Sequence, residues 1–160
     1  MADGPRADKA KQAVFRLLAL RDRSEWELRQ KLTGKCYDDG QIDTLLAEFK
    51  TLGYINDAAY TGRQARYLAR EKLYGNRRIE TYLLGKGIPH GEIKQALDNI
   101  RREFPEPEAI RRLIGKKWKG QPVANNDKEK RRLAQHLMGK GYSPALIFEA
   151  LDHMVEEQKS

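Results

Sequence analysis

The sequence predicts an all-α fold, a tandem of three three-helix repeats. One block recurs three times without gaps: Leu32-Thr33-Gly34-Lys35-Cys36-Tyr37, Leu83-Leu84-Gly85-Lys86-Gly87-Ile88 and Leu137-Met138-Gly139-Lys140-Gly141-Tyr142. Each is followed at constant offsets by an Ile and a Leu, namely Ile42 and Leu46, Ile93 and Leu97, and Ile147 and Leu151. One turn upstream stands an aliphatic residue, Leu28, Ile79 or Leu133. The matching leucines lie 51 and 54 residues apart, and self-similarity at such a period marks a repeat array. A hydrophobic content of 39% against 34% charged residues gives a lean core under an ionised surface, which suits an extended array better than a sphere.

The elements follow in order. Residues 1–10 are expected to be a flexible tail, as untethered termini usually are. In the first repeat, 11–54, Val14, Leu17, Leu18 and Leu20 lie at helical spacing. Ser24 and Glu27 form an S-x-x-E capping box opening a second helix through Leu28 and Leu32. Ile42, Leu45, Leu46, Phe49 and Leu52 make a third, ended by Gly53. In the second repeat, 55–104, Asn56 or Asp57 caps a helix through Tyr60, Tyr67 and Leu68. Gly75-Asn76 breaks it, and helices around Ile79–Lys86 and Glu92–Arg102 follow. Pro105 and Pro107 open the third repeat, 105–158, whose first helix carries Ile110, Leu113, Ile114 and Trp118 and stops at Gly120-Gln121-Pro122. A helix over Asp127–Lys140 follows, and Ser143-Pro144 starts the last.

Gly87 and Gly141 stand where a helix stops in a left-handed conformation, which glycine adopts freely. Cys36 occupies that place in the first copy, at a cost of about 1–2 kcal/mol if the turn is the same. Gly34, Gly85 and Gly139, two residues earlier, are expected to let a neighbouring helix approach closely. Lys35, Lys86 and Lys140 stand in the last turn, where a lysine either meets the helix dipole or contacts a ligand.

Several function classes are excluded. A single cysteine allows no internal disulfide and fits a reducing compartment. No apolar run reaches the roughly 18 residues of a membrane span, and Met1–Lys11 lacks a secretory signal's apolar stretch, so a cytoplasmic protein is expected. His90, His136 and His153 show no metal-ligand spacing, and neither a G-x-x-x-x-G-K-[ST] nor a G-x-G-x-x-G phosphate loop occurs. No enzyme, metal or cofactor is expected.

Charge carries more information. The chain has a net charge of +8 and a pI near 9.6, which draws it to polyanions or acidic protein surfaces. Seven basic residues, Arg63, Arg66, Arg70, Lys72, Arg77, Arg78 and Lys86, face only Glu71 and Glu80 between positions 63 and 86, a net of +5. Arg63, Arg66 and Arg70 share one helix face, and Tyr67 and Tyr74 sit among them as aromatics do where bases or a partner surface are met. Ten basic residues against two acidic ones give +8 over 111–140, including Arg111, Arg112, Lys116 and Lys117, whereas 142–160 carries −3. These two stretches are the candidate binding faces.

The order of the motifs carries a resemblance. The stretch Leu17-Leu18-Ala19-Leu20-Arg21-Asp22-Arg23-Ser24-Glu25-Trp26-Glu27-Leu28-Arg29-Gln30-Lys31-Leu32, then Gly53-Tyr54-Ile55-Asn56-Asp57, Gly75-Asn76-Arg77-Arg78-Ile79 and Leu84-Gly85-Lys86-Gly87-Ile88, resembles the RecX family, bacterial regulators of the recombinase RecA, over about residues 13–155. The resemblance implies an elongated, curved molecule. It implies a protein lying in the groove of the RecA–single-stranded-DNA filament and inhibiting its ATP hydrolysis, strand exchange or growth. A monomer is the simplest state for a groove binder, and the basic stretches allow weak electrostatic attraction to DNA. Two other readings fit the helices: a direct DNA-binding protein using helix-turn-helix-like pairs, and a generic helical adaptor for another protein.

Overall fold

Short polar side chains open most of the helices. A computed structural model describes residues 4–118 and 126–160, which form nine helices and no strand: α1 (Gly4–Leu20), α2 (Glu25–Gly34), α3 (Asp39–Thr51), α4 (Asp57–Arg70), α5 (Asn76–Leu84), α6 (His90–Glu103), α7 (Glu106–Lys117), α8 (Asp127–Lys140) and α9 (Pro144–Lys159). Ser24, Asp38, Asn56, Asn126 and Ser143 each accept a backbone N–H of the first turn they precede, worth about 1 kcal/mol apiece. The stop expected at Gly120-Gln121-Pro122 lies outside the described residues.

Three expectations change. The chain is helical from Gly4, not from residue 11, and Ala10 is already buried. The capping box is half formed: Ser24 Oγ accepts from Glu27 N at 3.2 Å, but the Glu27 carboxylate turns away to a network described below. A β-carbon placed on Gly34 or Gly139 would meet nothing within 4 Å, and one on Gly85 would meet only carbonyls of its own helix. Close approach falls instead on Gly75, Gly87 and Gly141.

Two apolar clusters hold the molecule. One is confined to α1–α3 and Ile55, with Val14, Leu28, Leu32, Ile42, Leu46 and Phe49 at its centre. The other runs unbroken through α4–α9, from Tyr60 and Ile79 to Leu133, Leu137 and Tyr142. Each large aliphatic side chain so buried contributes about 1.5–3 kcal/mol. The accessible surface of 10199 Å² exceeds by about a quarter the roughly 8,200 Å² of a compact monomer of this mass, as expected of helical units joined end to end.

The units join by one device used twice. The start of α2 docks on the turn between α5 and α6: Ser24 Oγ donates to the Lys86 carbonyl at 2.6 Å, and a β-carbon on Gly87 would overlap Trp26. The start of α5 docks likewise on the turn between α8 and α9. Gly75 N donates to the Lys140 carbonyl at 2.8 Å, and Arg77 N to the Gly141 carbonyl at 3.2 Å. Asn76 N donates to Glu106 at 2.8 Å. The first N–H groups of α5, which lack a side-chain cap, are thus satisfied by the next unit. Gly87 and Gly141 have φ of 77° and 96°, as the left-handed turn requires. Cys36 has φ 64°, so the first turn keeps the geometry, and the residue is exposed.

At the first junction a buried carboxylate gathers cations. Glu27, 7% exposed, accepts from Arg21 at 2.6 Å, from the Tyr60 hydroxyl at 3.2 Å, and pairs with Lys86 at 3.3 Å and Arg23 at 3.6 Å. Burial opposes its charge, but the Arg21 hydrogen bond and the nearby Lys86 hold its pKa below the usual value. Glu25 N also donates to Asp57 Oδ1 at 2.9 Å, so Asp57 ties the units together while Asn56 caps α4.

Candidate functional site

The basic residues of α4 are largely neutralised within the fold. Arg63 pairs with Asp22 at 2.6 Å, Arg66 with Glu103 at 2.9 Å and Arg70 with the same carboxylate at 3.6 Å. Arg63 and Arg66 line one groove of about 570 Å³ between α4 and α6, with Asn99, Arg102 and Glu103. Arg70 also lies over the Phe104 ring, 5.2 Å from its centre. Lys86 belongs to the Glu27 network. Arg112 pairs with Glu108 at 3.8 Å and lies 4.9 Å from the Phe104 ring centre. Arg111 lines a groove between α7 and α9 rimmed by Glu149, His153 and Glu157. Arg77 and Lys116 are exposed.

Unanswered charge concentrates where the second and third units meet. Arg78 lies 4.0 Å from the centre of the Tyr74 ring, and Lys140 Nζ 5.3 Å from the same centre. Arg78 Nη1 donates to the Gly139 carbonyl at 2.9 Å, and Lys140 Nζ to the Lys72 carbonyl at 3.2 Å. Lys72 Nζ reaches the exposed Tyr67 ring at 5.8 Å. Lys117 lies 3.2 Å from His136 Nδ1 and 5.5 Å from the Trp118 ring centre. Burial, then the charges of Arg78, Lys117 and Lys72, push the Lys140 pKa down. Burial and the neighbouring Lys117 and Lys140 do the same to His136. Among the described residues, no carboxylate lies within 4.0 Å of Lys72, Arg78, Lys117 or Lys140.

Such a cluster can attract and hold anions, with aromatic faces beside it. Of the residues expected from sequence, it unites Tyr67, Lys72, Arg78 and Lys117 and leaves Arg63, Arg66, Arg70, Lys86, Arg111 and Arg112 in ion pairs or other grooves. It adds Lys140, His136 and Trp118, which charge counting along α4 does not single out. Lys140 carried a signal in its recurrence after a glycine at constant offset, but a dipole contact explains that position equally well.

Residues 10–49 match the family model described as RecX, first three-helix domain, and residues 106–151 match RecX, third three-helix domain. Regulatory protein RecX of Caldanaerobacter subterraneus subsp. tengcongensis is 31% identical over 149 residues, covering 91% of this chain and 71% of that protein. The chain belongs to the RecX family. Regulatory protein RecX of Amycolatopsis mediterranei is 30% identical over 152 residues, covering 95% of this chain and 86% of its own. A RecX crystal structure superposes with a TM-score of 0.79 at 22% identity over 94% of this chain and 75% of that one. RecX from Lactobacillus salivarius gives 0.78 at 20% over 96% and 98%. These two likenesses show the RecX fold, all-helical and built of tandem three-helix units. Among the described residues no helix is long and apolar enough to cross a membrane, and no group of three or more metal-binding side chains occurs.

Proposed function

We propose that this protein acts by binding, not catalysis, and that its partner is the RecA–single-stranded-DNA filament, whose ATP hydrolysis, strand exchange and growth it restrains during recombination and DNA repair. Family membership supports the regulatory role, and the observation that carries the reading is the cationic junction around Tyr74, whose charges no carboxylate of the described chain answers. A filament of protein and DNA presents repeated negative charge, and a ribbon of stacked units offers a long surface to meet it. Binding one filament state more tightly than another shifts the filament's equilibrium by that difference in affinity. A monomer suffices for this role.

The test is RecA ATPase on single-stranded DNA with and without the protein. Hydrolysis is expected to slow as the protein approaches RecA's concentration, and the effect should weaken as salt rises. Full ATPase activity in excess protein at low salt would remove the proposal. Direct base reading is less well supported, because the first residues of α3, α6 and α9, Asp39-Gly40-Gln41, His90-Gly91-Glu92 and Pro144-Ala145-Leu146, hold no arginine or asparagine and a single glutamine, and so no cluster of base-reading side chains where a recognition helix meets bases.

A further inference from the structure

The two junctions are built on matching residues but carry opposite charge. Counting from the recurring leucines Leu32, Leu83 and Leu137, Glu27 of the first unit corresponds to Arg78 of the second, and Lys86 of the second to Lys140 of the third. At the first junction the Glu27 carboxylate stands between Lys86, Arg21 and the Tyr60 hydroxyl. At the second, the corresponding side chain is itself a cation. Arg78 and Lys140 share the Tyr74 ring, Lys72 stands beside them through the Lys140–Lys72 carbonyl bond, and Lys117 lies 3.2 Å from His136, one turn before Lys140 on α8.

We infer that the second junction is an anion site, in which a phosphate group of a nucleic-acid backbone takes the part that Glu27 plays at the first. A guanidinium presents its donors as a planar fork that matches phosphate oxygens. Four cations are more than one carboxylate balances, whereas a backbone brings phosphates in series. Tyr67, 47% exposed with Lys72 Nζ 5.8 Å from its ring centre, supplies an aromatic ring at the surface against which an unpaired base can stack. The inference rests on the filament reading for its biological setting, and it names DNA as what this junction grips. Its binding test needs no RecA, and RecA inhibition is read separately so that the two readings can fail independently.

The experiment is fluorescence anisotropy of the full chain with labelled oligo(dT), with sodium triphosphate and polyglutamate as competitors at equal charge. Wild type is expected to bind with a steep salt dependence. Arg78→Glu rebuilds the carboxylate–lysine pair of the first junction, so it should keep its melting temperature and bind at least about tenfold more weakly. The slope of log affinity against log salt should fall by about 0.7 for each phosphate the variant no longer neutralises. Lys72→Gln, whose side chain makes no hydrogen bond among the described residues, should weaken binding about threefold and guards against a folding defect in the first variant. Unchanged binding by both variants overturns the inference. Polyglutamate competing as well as oligo(dT) overturns it in favour of an acidic protein, and triphosphate outcompeting the oligonucleotide per phosphate overturns it in favour of a free polyphosphate. Weakened DNA binding with RecA inhibition intact upholds the junction and separates it from filament control. Intact DNA binding with inhibition lost refutes the junction alone.

Discussion

The second and third repeats each carry two glycines two residues apart, and in the third repeat alanine should act on them with opposite sign. At Gly87 and Gly141 the backbone has positive φ, which costs a residue with a β-carbon about 1–2 kcal/mol. The new methyl would also overlap Trp26 at Gly87, and Arg78 Cβ and backbone at Gly141. Overpacking of that kind costs about 1–3 kcal/mol, while loss of glycine's freedom in the unfolded chain returns about 0.4–1 kcal/mol. The net is a destabilisation of about 2–4 kcal/mol, or a fall in melting temperature of about 4–16 °C at this chain length. Gly139, and Gly34 at the same place in the first repeat, lie in the last turn of their helices with open space around the added atom, so alanine should stabilise by up to about 0.5–1 kcal/mol, the value for a helix interior. Urea unfolding of the four single variants, followed by circular dichroism, reads both signs as shifts in midpoint. Equal losses at Gly139→Ala and Gly141→Ala would refute the docking geometry, because the two sites differ in φ and in what stands opposite.

Further outcomes follow from the same structure. Cys36→Gly should raise stability by up to about 1 kcal/mol in urea unfolding, since φ is 64° and relief of left-handed strain exceeds the added unfolded-state entropy. Glu27→Gln should lower stability by about 2–3 kcal/mol at neutral pH, since it leaves Lys86, Arg21 and Arg23 around a neutral group. Glu27's folded pKa is depressed from 4.5, so its contribution is complete above that pH and is lost as pH falls through the lower folded value. The gap between wild type and Glu27→Gln should therefore be constant from about pH 5 to 7 and close in stronger acid; a gap that widens in acid contradicts the network. Tyr142→Phe removes the buried 2.7 Å hydrogen bond to the Leu73 carbonyl and should cost about 1–2 kcal/mol, read as a lower melting temperature. Arg63, Arg66 and Arg70 changed together to Ala should weaken RecA ATPase inhibition less than Arg78→Glu does, because Asp22 and Glu103 already answer those charges. The reverse ranking in a titration would move the binding face to α4.

The helices and their threefold recurrence were legible from residue order alone, because both rest on local spacing: the Leu-x-Gly-Lys blocks, the caps at Ser24, Asn56 and Ser143, and apolar residues at helical intervals. Residue order also marked the left-handed turns at Gly87 and Gly141 and their exception at Cys36. Which charges remain free was decided only in the tertiary structure. Arg63 meets Asp22 from 41 residues away, and Arg66 meets Glu103 from 37, so a count along the chain finds them unpaired when they are not. Lys140 joins Arg78 and Lys72 across 62 and 68 positions. Coulomb interaction depends on separation in space, and the docking of one unit's helix start on the next unit's turn sets those separations.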